Sequence, residues 1–342
     1  MQLSWFFPTS RRAWFWLVLR MIFLIVLPIS GALWTMMHIP GQSYQGQLAP
    51  VSAAEQAVAD RMQAHVRTVA SEEHNTQHPQ ALAAAAAYLE SQLKEIGYAV
   101  ASQSYGVGDV QVRNLEVEIK GSTLPQEIII IGAHYDSAHG APGANDNGSG
   151  TAMVLELARK FKTLAPKRTV RFVLFTNEEP PYFGTRTMGS TVYADRSHAR
   201  GENIVAMLSL ETVGFYDDTG GSQKYPVIFK PFFPSSGNFI AFIGDLPSRS
   251  LLHRSIASFR AAQDFPSEGI ATFPWIKGVD WSDHSAFWKN GYRALMVTDT
   301  AIFRYPYYHT ALDTPDRIDY GRMAKVLHGI EAVVADLANT SD

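Results

Sequence analysis

The stretch EIIIIGAHYDSAHGAPGANDNGSG, residues 127–150, constrains this chain more than any other. Four consecutive isoleucines, Ile128 to Ile131, leave no position for a wet face. Their β-branched stiffness suits a pleated surface, so the run predicts a central parallel strand buried on both sides. It ends in Gly132 and Ala133 and releases His134, Tyr135 and Asp136. A glycine-rich loop then carries Asp146 and Asn147, and the helical pattern TAMVLELARKF begins near Ser149. Ligand sites of open α/β sheets lie beyond the carboxyl ends of strands. Taken singly, each polar residue has an ordinary reading. Asp146 or Asn147 would cap the helix, and His134 and Asp136 would sit in a solvated loop.

The rest of the chain supplies the context. Helical spacing runs over 53–69 and 80–96, with Gly97 as a carboxyl-terminal cap. VRNLEVEIKG alternates and reads as a strand near the sheet edge. Further strands are expected at 170–176, 204–210 and 294–299, and helices near 249–262, 284–290 and 320–337. Strand and helix alternate, which predicts an α/β fold, a three-layer αβα sandwich around a mostly parallel sheet. Residues 215–237 and 263–281, rich in Gly, Pro, Ser and aromatics, read as long loops over one end of that sheet. With 46% hydrophobic and 18% charged residues in 342, the chain can bury one large core. A net charge of −3 without a long basic run argues against nucleic acid as a partner. The absence of cysteine excludes disulfides and thiolate chemistry, leaving oxygen and nitrogen as metal ligands.

Residues 1–37 form a separate unit. Residues 13–37 are largely apolar with Arg20 as the single charge, Arg11 and Arg12 precede them, and no Lys or Arg follows before Arg61. The positive-inside rule keeps the amino terminus in the cytoplasm and exports the remainder to the periplasmic or extracellular side. The run is long enough to span a bilayer with Arg20 snorkelling, which favours an uncleaved signal anchor. The competing reading is a cleaved signal peptide and a secreted product, with Ser30-Gly31-Ala32 or Ser52-Ala53-Ala54 as small-residue sites. Residues 38–52 read as a polar linker, and 53–342 as the globular domain.

Several of the buried strands end in acid or imidazole. VRFVLFT runs into Asn177-Glu178-Glu179, IVAMLSL into Glu211, and ALMVTD is followed by Tyr308 and His309. Like charges gathered at one sheet end repel and raise each other's pKa unless cations neutralise them. Two zinc ions need this inventory: one bridging carboxylate, then a carboxylate and a His for each. The spare glutamate of the Glu178-Glu179 pair stays free to take a proton from water.

HYDS, GANDNGSG, NEE, SLETVG, SDHSAFW and YYHTALDT, in this order, resemble metallopeptidase family 28, the dizinc aminopeptidases. The resemblance covers residues 53–342 and implies a zinc-exopeptidase fold binding two Zn2+ and cleaving peptides. His134 and Glu211 would hold one zinc, Glu179 and His309 the other, and Asp146 would bridge them. Asp136 would orient His134. Glu178 would be the general base. Tyr308 is similar to a tyrosine that holds the oxyanion in some members, the alternative being aromatic packing. Asp283 and His284 would line the substrate pocket, against a helix-capping role for Ser282 or Asp283. A cis peptide after Asp146 is also implied.

Glu211 stands where the better-known aminopeptidases carry Asp, and Glu appears there in related carboxypeptidases. Two more rivals are a one-zinc glutaminyl cyclase, which would have Trp in place of Tyr308, and an inactive binding homologue. Asp313 either supports His309 or forms a turn with Thr314. His74, His139, His198, His253 and His328 read as surface residues, and Asn147 as a helix cap. Phe183, Met188, Trp275 and Trp281 either shape a specificity pocket or pack in core and loops.

Overall fold

The computed structural model describes residues 10–340. Its amino-terminal rod comprises α1 (Arg11–Met21), a π-turn at Ile22–Val26, and α2 (Leu27–Met37). Arg11–Met37 is one helix long and apolar enough to cross a membrane, with its side chains largely exposed until Met36. Residues 38–52 form neither helix nor strand, and they lie against the globular part. Arg260 donates to the Pro40 carbonyl (2.9 Å), and the Ser267 amide donates to the Ser43 hydroxyl (2.9 Å).

Helix α3 (Ala53–Val69) opens with a reciprocal capping box between Ser52 and Glu55, which satisfies two orphan amides at once. Helix α4 (Pro79–Glu95) has Pro79 in its first turn, where the missing N–H costs nothing. Strands β1 (Ala101–Val107), β2 (Val110–Ile119) and β3 (Leu124–His134) follow. Then come α5 (Gly150–Phe161), β4 (Arg168–Phe175), α6 (Gly189–Ala199) and β5 (Asn203–Glu211). The chain continues through β6 (Ile240–Asp245), α7 (Arg249–Ala262), β7 (Ser267–Thr272), α8 (His284–Lys289), β8 (Ala294–Thr298) and α9 (Tyr320–Asn339).

The eight strands form one mixed sheet in the order β1-β2-β4-β3-β5-β8-β6-β7. Its centre, β4-β3-β5-β8, is parallel, while β2 joins β4 and β6 joins β8 in antiparallel fashion. The isoleucine run behaves as its sequence requires. Ile129 and Ile131 enter the larger core with α3, α4, α5, α7 and α9, and Ile128 and Ile130 enter a second core with α6 and α8. This is the three-layer sandwich expected.

Four elements differ from the sequence reading. Strand β1, strand β6 and helix α6 had no signal strong enough to place them. The segment 263–281, expected as loop, contains β7. Helix α6 buries Gly189, Ser190, Tyr193, Ala194 and Ser197, a face of mostly small and polar residues that leaves no aliphatic stripe.

Backbone contact between layers fixes where α5 begins. A Cβ on Gly150 would stand 2.2 Å from the Leu210 carbonyl oxygen, a backbone atom that cannot step aside. Gly150→Ala is therefore expected to cost about 2 kcal/mol or more of stability, by forcing α5 away from β5. Denaturant unfolding of the variant against the parent measures it, and an unchanged midpoint would refute the close approach.

Candidate metal centre and active site

Three adjacent parallel strands deliver the site. His134 closes β3, Glu211 closes β5, and Glu178 and Glu179 follow β4, while Asp146 comes from the loop between β3 and α5. His309 arrives from the segment after β8. The turns beside these groups are tight. Asn177 (φ 57°), Thr212 (φ 47°) and His309 (φ 56°) all occupy the left-handed region. For β-branched Thr212 this conformation is unfavourable and persists only because the surroundings over-determine it. Its amide donates to Asn147 Oδ1 (3.1 Å), and its hydroxyl meets that of Thr298 (3.1 Å). The Asp146–Asn147 peptide is cis, as the family resemblance implied.

Asp146 divides its two oxygens. Oδ1 lies 3.4 Å from His134 Nε2, and Oδ2 lies 3.0 Å from His309 Nε2. His134 Nε2 is also 3.3 Å from Glu211 Oε2, and His309 Nε2 is 3.0 Å from Glu179 Oε2. Yet His134 Nε2, His309 Nε2, Asp146 Oδ2 and Glu179 Oε1 form no hydrogen bond of acceptable geometry among the described residues. Buried polar atoms are normally paired. Nitrogen and oxygen atoms this close without a hydrogen bond are aimed at common points between them. His134, Asp146 and Glu179 present ligand atoms within 4.8 Å of one another. Carboxylate and imidazole donors without thiolate suit a catalytic zinc, so these residues fit the metal that the resemblance implies.

The supporting bonds explain why the imidazole faces inward. His134 Nδ1 contacts the Asp136 backbone carbonyl at 3.1 Å, closer than the Asp136 carboxylate at 3.5 Å. A carbonyl only accepts, so Nδ1 carries a proton, and in the neutral ring Nε2 presents its lone pair. The Asp136 carboxylate instead accepts from the amides of Glu178 (3.1 Å) and Glu179 (3.2 Å), which locks the glutamate pair to β3.

Without cations the electrostatics are unfavourable. Burial pushes Glu179 up to about 7 and Glu211 up to about 8, with the Asp146 charge adding to both. Burial likewise raises Glu178 well above its ordinary value, against the pull of His134. Burial alone would lower His309, but the carboxylates of Asp146 and Glu179, each 3.0 Å from its Nε2, bring it to about 10. For His134 too, burial is outweighed, by the charges of Glu211 and Glu178. Burial disfavours ionised Asp146, but the two imidazoles hold it below the usual carboxylate range.

Other residues named from the sequence fall in several places. Asp283 is fully buried and makes no capping bond to α8. Burial pushes it up to about 7, opposed by His134 and the Ser190 hydroxyl. His284 does not face the cleft: Nε2 contacts the Val279 carbonyl (2.8 Å), the ring abuts Trp288, and burial takes it down to about 4. Asp313 takes neither expected role. Its carboxylate accepts from the amides of Asn145 (2.8 Å) and Asp146 (3.1 Å) and from the Tyr305 hydroxyl (2.7 Å). It braces the backbone of Asn145 and Asp146 rather than His309, because those buried amides have no helical acceptor. Asn147 caps as expected, accepting from the Gly150 amide (3.1 Å), and its Nδ2 also donates to the Leu210 carbonyl (2.8 Å).

His74, expected at the surface, is buried, and its amide donates to the Ser137 hydroxyl (3.0 Å) beneath the HYDS turn. A local pattern gives no sign of that contact across 63 residues. Ser282, considered only as a cap, donates to Glu211 Oε2 (2.8 Å). Asn145 has no role in the sequence reading, though its Nδ2 donates to Asp299 (2.9 Å) and its Oδ1 accepts from the Gly214 amide (3.0 Å). Its place inside GANDN was the available signal.

A cleft of about 850 Å3, including its open mouth, adjoins Glu211 and Tyr308. Phe229, Phe233, Ile276, Val279, Trp281 and Phe303 line it, so its walls are apolar. Trp281 is thus the one of the four suggested aromatic and Met positions that lines this cleft; Met188 is core, and Trp275 is exposed. Tyr308 stacks on His309 at 3.9 Å between ring centroids while also facing the cleft.

A mixed αβα sheet with a parallel centre and an oxygen- and nitrogen-rich cluster at its carboxyl edge fits the zinc-peptidase class of hydrolase. The sequence matches the family model "Peptidase family M28" over residues 114–334, and the chain belongs to that family. It is 36% identical over 254 residues to the uncharacterized Escherichia coli protein YfbL, covering 72% of this chain and 77% of the relative. A probable aminopeptidase of Saccharomyces cerevisiae is 27% identical over 239 residues, 66% of this chain and 57% of the relative. The chain therefore spans little more than half of that yeast protein. Among solved structures, the LapA aminopeptidase of Legionella pneumophila superposes with a TM-score of 0.63 at 18% identity, covering 87% of this chain and 78% of that one. A glutaminyl cyclase of Fimbriiglobus ruber gives 0.61 at 20% identity, covering 85% and 97%. These two likenesses establish the fold.

The raised pKa values set a pH dependence. Glu179 and Glu211 are raised above an unfolded value near 4.5, so their contribution is complete at acid pH and is lost as pH rises through about 7 to 8. His134 and His309, also raised, lose theirs above the ordinary His range. The chelator-treated protein should thus be less stable at pH 8 than at pH 5. Zinc binds deprotonated ligands, so the rise in Tm on adding zinc should grow over the same interval. Thermal melts with chelator and with zinc at both pH values check this; an equal zinc effect at the two would contradict it.

Proposed function

We propose that the chain is a membrane-anchored exopeptidase that binds two zinc ions and removes amino-terminal residues from peptides. The observation that supports this best is Asp146, with one oxygen toward the His134–Glu211 side and the other toward the His309–Glu179 side. Zinc bound there would activate a water and polarise the scissile carbonyl. His134 and Glu211 would hold one ion and His309 and Glu179 the other, with Asp146 shared between them.

Glu178 stands apart from both sets of ligands, its Oε2 3.9 Å from His134 Nε2. Its amide is fixed by Asp136, so its carboxylate is positioned to take a proton from the attacking water and deliver it to the leaving amine. The Tyr308 hydroxyl donates to the oxyanion that develops on the scissile carbonyl. The apolar cleft receives the side chain of the residue being released. Relatives bearing the name aminopeptidase support the amino-terminal choice. Residues Arg11–Met37 cross the membrane with Arg11 and Arg12 on the cytoplasmic side, so the catalytic domain is exported.

The full chain, reconstituted with zinc, is offered peptides with free or acetylated amino ends and free or amidated carboxyl ends. Stepwise loss of amino-terminal residues, blocked by acetylation, is the expected product series by mass spectrometry. Trimming from the carboxyl end would give Glu211 a carboxypeptidase meaning, and cyclisation of amino-terminal Gln would place the chain with the cyclases. Glu178→Gln is expected to keep the fold and two equivalents of zinc while kcat falls about 10²–10⁴-fold. Undiminished turnover in that variant would remove Glu178 from the mechanism.

A further inference from the structure

The exported end of the helical rod is part of the folded domain. Met36 is buried in a cluster with Phe229, Ile270, Ile276 and Val279, and Met37, Tyr225 and Phe233 pack against it. Arg249 Nε donates to the Thr35 carbonyl (2.7 Å), and Trp34 stacks on His38, which meets His253 edge-on. The domain is thereby held at a fixed height relative to the rod.

That height is set by the rod's aromatic residues. Trp14 and Trp34 are twenty residues apart in sequence. At 1.5 Å per residue this is about 30 Å, the thickness of the hydrocarbon layer. Tryptophan prefers the two boundaries of that layer, which puts Trp34 at the exported boundary and Met36 just beyond it. The loops packed around Met36 then lie at headgroup level.

Those loops present apolar side chains outward. In YPVIFKPFF, residues 225–233, Val227 is 87% exposed, and Ile228 and Phe232 are also exposed. In FPWIKGVDW, residues 273–281, Trp275 is 77% exposed and stacks on Phe273. The charges in the two segments are Lys230, Lys277 and Asp280, and Lys277 lies over the Trp281 ring at 5.7 Å. Exposed Trp, Phe and aliphatic groups interspersed with lysines suit the layer between lipid tails and anionic headgroups.

We propose that loops 225–233 and 273–281 form a second membrane contact, inserted into the headgroup layer of the bilayer that Arg11–Met37 crosses. Continuity with the rod through Met36 favours lipid over a second copy of the chain as the occupant. Phe229, Phe233, Ile276 and Val279 line the cleft as well as flanking this contact. The cleft therefore takes its substrates at the membrane surface: on the peptidase reading, peptides with apolar amino-terminal residues that partition there. The contact itself rests on the anchoring part of that reading and not on its chemistry.

The sequence has no cysteine, so one introduced thiol labels one position. Val227→Cys, Trp275→Cys, Leu24→Cys and Asp109→Cys variants of the full chain would each carry an environment-sensitive fluorophore in lipid nanodiscs. Asp109 lies in the turn between β1 and β2, at the opposite edge of the sheet. Quenchers attached to lipid headgroups and acyl chains should remove emission at 227, 275 and 24, with a blue-shifted spectrum, and leave 109 unaffected. Emission at 227 and 275 matching that at 109, while 24 is quenched, would overturn the second contact. Shielding from aqueous quencher without lipid quenching would assign the patch to a second copy and overturn it too. An unquenched label at 24 would remove the anchor, and the proposal with it. Peptidase activity enters none of these outcomes.

Discussion

Repulsion among buried carboxylates is the constraint on which the rest of this molecule depends. Asp146, Glu178, Glu179 and Glu211 converge at one end of the sheet with only two imidazoles among them. Two like charges 4 Å apart at an effective dielectric near 20 repel by about 4 kcal/mol. Such a cluster is tolerated where the scaffold is stiff and protons or cations offset the charge. The stiffness comes from strands β4, β3 and β5, whose parallel pairing aligns three adjacent ends. Isoleucines buried on both faces of β3 seat it between the two helical layers, and its pairing with β4 sets His134 opposite Phe175.

A second tier of bonds holds the loops against this repulsion. Asp313 takes the amides of Asn145 and Asp146, and Asp299 takes the side chain of Asn145 and the amide of Phe215 (2.9 Å). Segments that meet the site after β3, β5 and β8 are thus tied through one another. Asp136 performs the same service between β3 and the turn after β4. In each case a carboxylate fixes backbone amides that no regular element could satisfy.

Much of this was legible in the sequence because it is written in local pattern. Isoleucine runs mark two-sided burial, and the motifs around His134, Asp146, Glu178, Glu211 and His309 lie where strands stop. The helices expected at 53–69, 249–262 and 320–337 stand at Ala53–Val69, Arg249–Ala262 and Tyr320–Asn339. What escaped depends on contacts distant in sequence. Strand β1 is a polar edge strand with mostly exposed residues, so no alternation distinguishes it from a loop. Strand β7 is six residues long within an aromatic, proline-containing stretch. The backbone role of Asp313 and the burial of His74 are set by partners 168 and 63 residues away. The polar segment 38–52 lies against the domain because Arg260 and Ser267 meet it, which no composition rule anticipates.

The division of labour between strands and loops has a consequence for how such a molecule can diversify. The buried acids and imidazoles of the candidate site sit at the ends of the parallel core and in its immediate turns, whereas Phe229, Phe233, Ile276 and Val279 belong to two excursions that contribute none of them. Replacements in those excursions alter the shape and greasiness of the cleft while leaving charge balance at the sheet end intact. Substrate preference can therefore drift, or be redesigned, along one set of residues without first destabilising the other. Glu211 is the point at which the two sets touch, since it both closes β5 and borders the cleft.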